Sequence, residues 1–97
     1  MEEICKSDCI FMKKVINKYG SIFYYNENGL LHREDGPAIE DSNGLKDWYK
    51  NGKLHREDGS AVEYPNGKKE YWYNDIKYPE IKTDEEWKRF VKLMVFQ

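Results

Sequence analysis

The sequence predicts a mainly β protein: a single elongated antiparallel meander of stacked β-hairpin repeats of period 23, closed by a C-terminal capping α-helix. Three observations predict it. One block of the chain is duplicated, Asn-Gly dipeptides punctuate the duplicate, and the last segment changes from strand-like to helix-like patterning.

The duplication decides the architecture, because a fixed internal period means stacked copies of one supersecondary unit. Asn28-Gly29-Leu30-Leu31-His32-Arg33-Glu34-Asp35-Gly36-Pro37-Ala38-Ile39-Glu40 returns 23 residues later as Asn51-Gly52-Lys53-Leu54-His55-Arg56-Glu57-Asp58-Gly59-Ser60-Ala61-Val62-Glu63. Residues 28–46 and 51–69 share thirteen identities in nineteen ungapped positions. Asp47-Trp48-Tyr49-Lys50-Asn51-Gly52 aligns with Glu70-Tyr71-Trp72-Tyr73-Asn74-Asp75, so a third unit begins and is cut off. Upstream, Val15 to Gly20 resembles Ile39 to Gly44 and supplies a partial first unit. Gly20 to Gly29 is nine steps where Gly44 to Gly52 is eight. The extra residue reads as a bulge or a longer loop.

Asn28-Gly29, Asn43-Gly44, Asn51-Gly52 and Asn66-Gly67 mark the turns, since both residue types tolerate the positive φ angles of tight hairpins. Between them, Leu45 to Tyr49, Lys53 to Arg56, Ala61 to Tyr64 and Lys68 to Tyr73 have strand length and aromatic or β-branched content. Asp35-Gly36-Pro37 and Asp58-Gly59 make the remaining corners, and Pro37 and Pro65 fall in turns where a missing amide donor does no harm. At the N-terminal end, Cys5, Cys9, Met12, Ile16 and Tyr19 have helical spacing, whereas the repeat register places a strand at about Phe11 to Asn17; the strand is preferred.

Thr83-Asp84-Glu85-Glu86 has capping-box form and starts a helix. Trp87, Phe90, Val91, Met94 and Val95 then recur at three- and four-residue spacing on one stripe, with Lys88, Arg89 and Lys92 opposite. Such a helix covers the open end of a repeat sheet. The organisation is therefore an N-terminal segment over 1–10, a β-repeat sheet over 11–80 and an amphipathic helix over 81–97.

With 97 residues the chain holds one domain. Sixteen basic against eighteen acidic residues leave a net charge of -2, which provides no positive field for nucleic acid. Acids occupy the N-terminus where a secretory signal needs bases, and no run is long enough to span a bilayer, so a cytoplasmic protein without membrane contact is expected. Cys5 and Cys9 lack metal-site spacing and read as reduced thiols.

His32-Arg33-Glu34-Asp35 offers acid-base and metal-binding groups, yet it recurs unchanged as His55-Arg56-Glu57-Asp58. A catalytic site needs one set of unlike, convergent groups, whereas a structural ladder needs the same group on every rung. The sequence therefore predicts no catalytic residue, no metal ligand and no cofactor. The aromatic runs Phe23-Tyr24-Tyr25, Trp48-Tyr49 and Tyr71-Trp72-Tyr73 send rings to both faces of the sheet. Corrected for the extra residue, Tyr25, Tyr49 and Trp72 form one column and Tyr24, Trp48 and Tyr71 the other. One column belongs to the core; the second is either shielded by the helix or exposed for recognition.

The stretches Leu31 to Glu40 and Trp48 to Gly59 resemble the MORN-variant repeats found in proteins of bacteriophages and large DNA viruses, and the resemblance spans about Val15 to Tyr78. It implies a sheet of stacked hairpins whose role is binding. Because the chain lacks the Gly-rich Tyr-x-Gly-x-Trp pattern of classical MORN units, lipid binding is not carried over. A viral origin implies a small effector that inhibits a host protein, such as a defence factor.

Two further functions compete with that one. The chain can sequester a nucleotide-like small molecule between aromatic rings and the repeated Arg33 and Arg56. It can also assemble with itself, since truncated repeats leave strand edges available for a homodimer. The partner-binding residues expected from the sequence are Tyr25, Tyr49, Trp72, Arg33 and Arg56.

Overall fold

The structure is a computed structural model that describes residues 13–95. Cys5, Cys9, the 1–10 segment and the start of the Phe11 to Asn17 strand lie outside the described residues. Within them the fold is mainly β with one C-terminal helix, as the repeat pattern predicts. The strands are β1 (Lys13–Ile16), β2 (Ile22–Tyr25), β3 (Ile39–Glu40), β4 (Lys46–Asp47), β5 (Tyr49–Lys50), β6 (Lys53–Leu54), β7 (Val62–Glu63), β8 (Lys69–Glu70), β9 (Trp72–Tyr73) and β10 (Ile76–Lys77). The helix α1 is Asp84–Val95.

The single sheet divides into three ladders: a six-stranded sheet in the order β1-β2-β3-β4-β7-β8, and the separate hairpins β5-β6 and β9-β10. The divisions fall at Trp48 and Tyr71. The Trp48 N–H donates to Ala61 O within the large sheet, while Trp48 O accepts from His55 N, so the chain changes partners inside the expected Leu45 to Tyr49 strand. Tyr71, whose carbonyl accepts from Tyr78 N, splits Lys68 to Tyr73 in the same way. The expected strand from Lys53 to Arg56 is likewise shortened to β6: His55 still bonds Trp48 O, but Arg56 N passes to Trp72 O of the next unit. The hairpins are tied to the preceding unit by Gly52 N to Leu31 O, Arg33 N to Tyr49 O, Asp75 N to Leu54 O and Arg56 N to Trp72 O.

Asn51-Gly52 is the two-residue hairpin turn, with φ of 50° and 83°. Its counterpart Asn74-Asp75 also has positive φ at both positions, and Asp75 Oδ1 accepts the Leu54 N–H at 2.8 Å. The other Asn-Gly pairs sit in longer turns where only the glycine is left-handed, closed by Gly29 N to Asn26 O, Gly44 N to Asp41 O and Gly67 N to Tyr64 O. The extra residue of the first unit lies in such a turn: Tyr25 bridges Leu31, five residues intervening, where Tyr49 pairs with Leu54 across four. It is a longer loop and not a strand bulge.

At its N-terminus α1 has the reciprocal cap, Glu86 N donating to Thr83 Oγ1 at 3.1 Å and Thr83 N to Glu86 Oε1 at 3.2 Å. Its stripe presses Trp87 and Val91, with Phe90 and Met94, against Tyr71, Tyr73, Tyr78 and Ile81. Val95, expected on that stripe, is instead 55% exposed. The molecule measures 45 × 35 × 17 Å, so the sheet is one layer deep and its core gathers where the helix doubles it. No helix among the described residues is long and apolar enough to cross a membrane.

Candidate binding face

Alternation along the strands and the pairing register place Phe23, Tyr25, Ile39, Asp47, Tyr49, Val62, Glu70 and Trp72 on one face. Tyr24, Ala38, Trp48, Ala61 and Tyr71 point to the other.

The second face is roofed unit by unit. The Arg33 guanidinium lies 4.0 Å from the centroid of Tyr24, and that of Arg56 lies 4.0 Å from Trp48. Arg33 Nε donates to Asp35 at 2.9 Å, and Nη1 donates to Pro37 O at 3.2 Å and to Glu40 at 2.9 Å. Arg56 repeats the set on Asp58, Ser60 O and Glu63. Burial lowers the pKa of Arg33, but its hydrogen bonds to Asp35 and Glu40 outweigh this and the net shift is upward. Gly36 and Gly59 leave room at these corners: a Cβ there would stand 3.1 Å from the guanidinium carbon, which would have to give way by a few tenths of an ångström. Over Tyr71 the roof is Trp87, its ring centroid 5.6 Å away. Helix α1 thus does for the last unit what arginine does for the first two.

The histidines are spent in the same fashion. Asn51 N donates to His32 Nδ1 at 2.9 Å and Asn74 N to His55 Nδ1 at 3.1 Å. The opposite ring nitrogens meet Glu34 and Glu57 at 2.7 and 3.1 Å. With Nδ1 accepting, Nε2 carries the proton and donates. Each histidine therefore anchors the hairpin turn of the next unit.

An open groove on the roofed side is lined by Arg33, Trp48, Lys50, His55 and Arg56, but also by Glu34, Asp35, Glu57 and Asp58. Its arginines are already paired within their own units. Arg33 and Arg56, expected to meet a partner, are the keystones of the corners they belong to.

Among the described residues the column Tyr25, Tyr49 and Trp72 carries no such roof, and α1 does not pack on it. All three rings are half-buried by their neighbours. Burial, with the charges of Asp47 and Asp75, pushes the Tyr49 pKa up. The sequence reading missed the carboxylates in this face. Glu70 Oε1 accepts from Trp72 Nε1 at 3.0 Å, and Oε2 accepts from Tyr64 Oη at 2.9 Å and Lys77 Nζ at 3.4 Å. Burial alone would raise its pKa; these hydrogen bonds and the Lys77 charge bring it below the ordinary value. Asp47 occupies the same place one unit earlier, and its Oδ1 is buried without a hydrogen-bond partner among the described residues. The signal was present in the alignment of Asp47 with Glu70, in which the donors around the second carboxylate are not repeated around the first.

No family model, curated protein or solved structure matches the chain.

Proposed function

We propose that the protein is a non-enzymatic binding module that engages a protein partner through the face bearing Tyr25, Tyr49 and Trp72. The observation that carries this reading is the asymmetry of the two aromatic columns among the described residues: Tyr24, Trp48 and Tyr71 are each roofed from within the chain, and their neighbours are not. Tyr and Trp presented as rigid, amphipathic rings are the residues on which protein interfaces concentrate binding energy. The histidines and arginines support the same reading from the other side. They are committed to turns and corners in both units, which supports a structural role for them. The repeat's resemblance to viral MORN-variant units makes inhibition of a host protein the role to test.

The experiment is affinity capture from bacterial lysate by the tagged protein and by a Tyr49→Ala/Trp72→Ala variant of matched melting temperature. A stoichiometric protein that is captured by the parent and lost in the variant is the expected result. Capture retained by the variant, or no captured protein at all, would overturn the reading; a concentration-dependent dimer in the second case would favour self-assembly.

A further inference from the structure

Asp47 and Glu70 lie in one row of the six-stranded sheet, paired to either side of Val62. They are 23 residues apart, at the same place in successive units. Glu70 shows what a carboxylate requires there: a hydroxyl from Tyr64, an indole N–H from Trp72 and an ammonium from Lys77. The corresponding positions around Asp47 hold Asp41, Tyr49 and Leu54. The first is another acid, already accepting from Ser21 Oγ at 2.8 Å, and the last is apolar. Leu54 pairs with Tyr49 as Lys77 pairs with Trp72, which puts both side chains on the carboxylate face. Of the lysines of this unit, Lys68 lies over the Tyr64 ring and Lys77 on Glu70.

A buried carboxylate oxygen with no donor calls for an explanation, because its lost hydration is not replaced. Here the row neighbours Ile39 and Val62 are apolar, and the charges closest in kind, Asp41 and Glu70, repel it. Among the described residues the group therefore lacks a cation with N–H donors, and Asp47, only half-buried as a whole, lies on the face proposed to meet the partner.

We propose that Asp47 is the anchor for a basic side chain, arginine or lysine, of the protein partner. That side chain would supply to Asp47 what Lys77 supplies to Glu70, with its aliphatic stem against Tyr49. This rests on the reading of the Tyr25, Tyr49 and Trp72 column as the binding face.

The test uses an acetylated, amidated Arg-Val-Arg-Val-Arg-Val peptide titrated into the 15N-labelled chain, with Gln-Val and Glu-Val peptides as controls. The expected result is amide shifts centred on Ile39, Asp47, Tyr49 and Val62 with the arginine peptide alone. Asp47→Asn, which keeps the side-chain shape, weakens that binding about tenfold or more. Leu54→Lys, which installs the ammonium of the later unit, also weakens it by occupying Asp47 from within. Shifts that persist in Asp47→Asn, that fall only on the acidic corners Glu34-Asp35 and Glu57-Asp58, or that are absent would overturn the proposal. The lysate capture separates its failure from that of the face. A partner lost with Tyr49→Ala/Trp72→Ala but kept with Asp47→Asn sinks the basic anchor and leaves the face standing. A partner kept by both sinks the face.

Discussion

The indole N–H of Trp87 donates to the backbone carbonyl of Arg56 at 2.7 Å, so the C-terminal helix is bolted to the corner of the preceding unit as well as packed on Tyr71. Trp87 is 0% exposed and Tyr71 2%. Tyr71 is fixed in turn by its hydroxyl, which donates to Asp84 at 2.8 Å; burial and that bond push its pKa well up. Trp87→Phe should keep most of the packing and lose the hydrogen bond, at about 1–2 kcal/mol. Trp87→Ala should cost about 3–5 kcal/mol. Urea denaturation of the two variants measures both, and a Trp87→Phe variant as stable as the parent would show that the bond to Arg56 contributes nothing.

Arg56 should not be replaceable by lysine. One guanidinium meets Asp58, Ser60 O and Glu63 while its plane stacks on Trp48. An ammonium can make contacts with the carboxylates but has no planar fork and no flat face. Arg56→Lys is expected to lose about 1–3 kcal/mol, and Gly59→Ala to destabilise by crowding the same group. If the guanidinium is what Gly59 makes room for, the double variant Arg56→Lys/Gly59→Ala will lose less than the sum of the single losses.

His55→Ala should cost about 1–3 kcal/mol, because it leaves the Asn74 N–H without its acceptor in a left-handed turn. His32→Ala should show the same kind of loss through Asn51. Thermal melts of both variants decide between a ladder, in which both are weakened, and a site, in which one substitution leaves stability untouched.

The Asn-Gly turns and the Thr83 cap were legible because their chemistry is local: left-handed φ at Gly52 and the Thr83–Glu86 exchange need no information from elsewhere in the chain. The division of the sheet at Trp48 and Tyr71 was not, since a strand-like run looks the same whether it serves one ladder or two. Arg33 and Arg56 were legible as important, but their pairing within their own corners was not. A guanidinium able to stack and pair across an interface is equally able to do so within its own corner, and only the Asp35, Pro37 and Glu40 contacts distinguish the cases. Asp47 went unread for the opposite reason: its distinction is what it lacks, visible once Glu70 supplies the comparison.

The two carboxylates should respond to pH in opposite senses. The folded-state pKa of Glu70 is lowered, so Glu70 stabilises the fold above the ordinary glutamate range, and that contribution is lost as pH falls through the lowered value. Glu70→Gln should therefore be less stable than the parent at neutral pH by about 1–3 kcal/mol, with the gap closing in acid. Asp47 is raised, by burial and by the charges of Asp41 and Glu70, so its ionised form opposes folding at neutral pH. Asp47→Asn should be the more stable chain there, its advantage shrinking as pH falls through the raised folded-state value towards the ordinary aspartate range. Denaturation midpoints across that range test both signs.

Three tryptophans report on three places: Trp87 on the buried side of the helix, Trp48 beneath Arg56 and Trp72 in the unroofed column. The most direct measurement is the indole N–H spectrum of 15N-tryptophan-labelled protein as captured partner is added. The predicted result is a shift or broadening of the Trp72 signal at partner concentrations that leave Trp48 and Trp87 in place. A response that starts at Trp48 or Trp87 while Trp72 stays unchanged would contradict the assignment of the binding face.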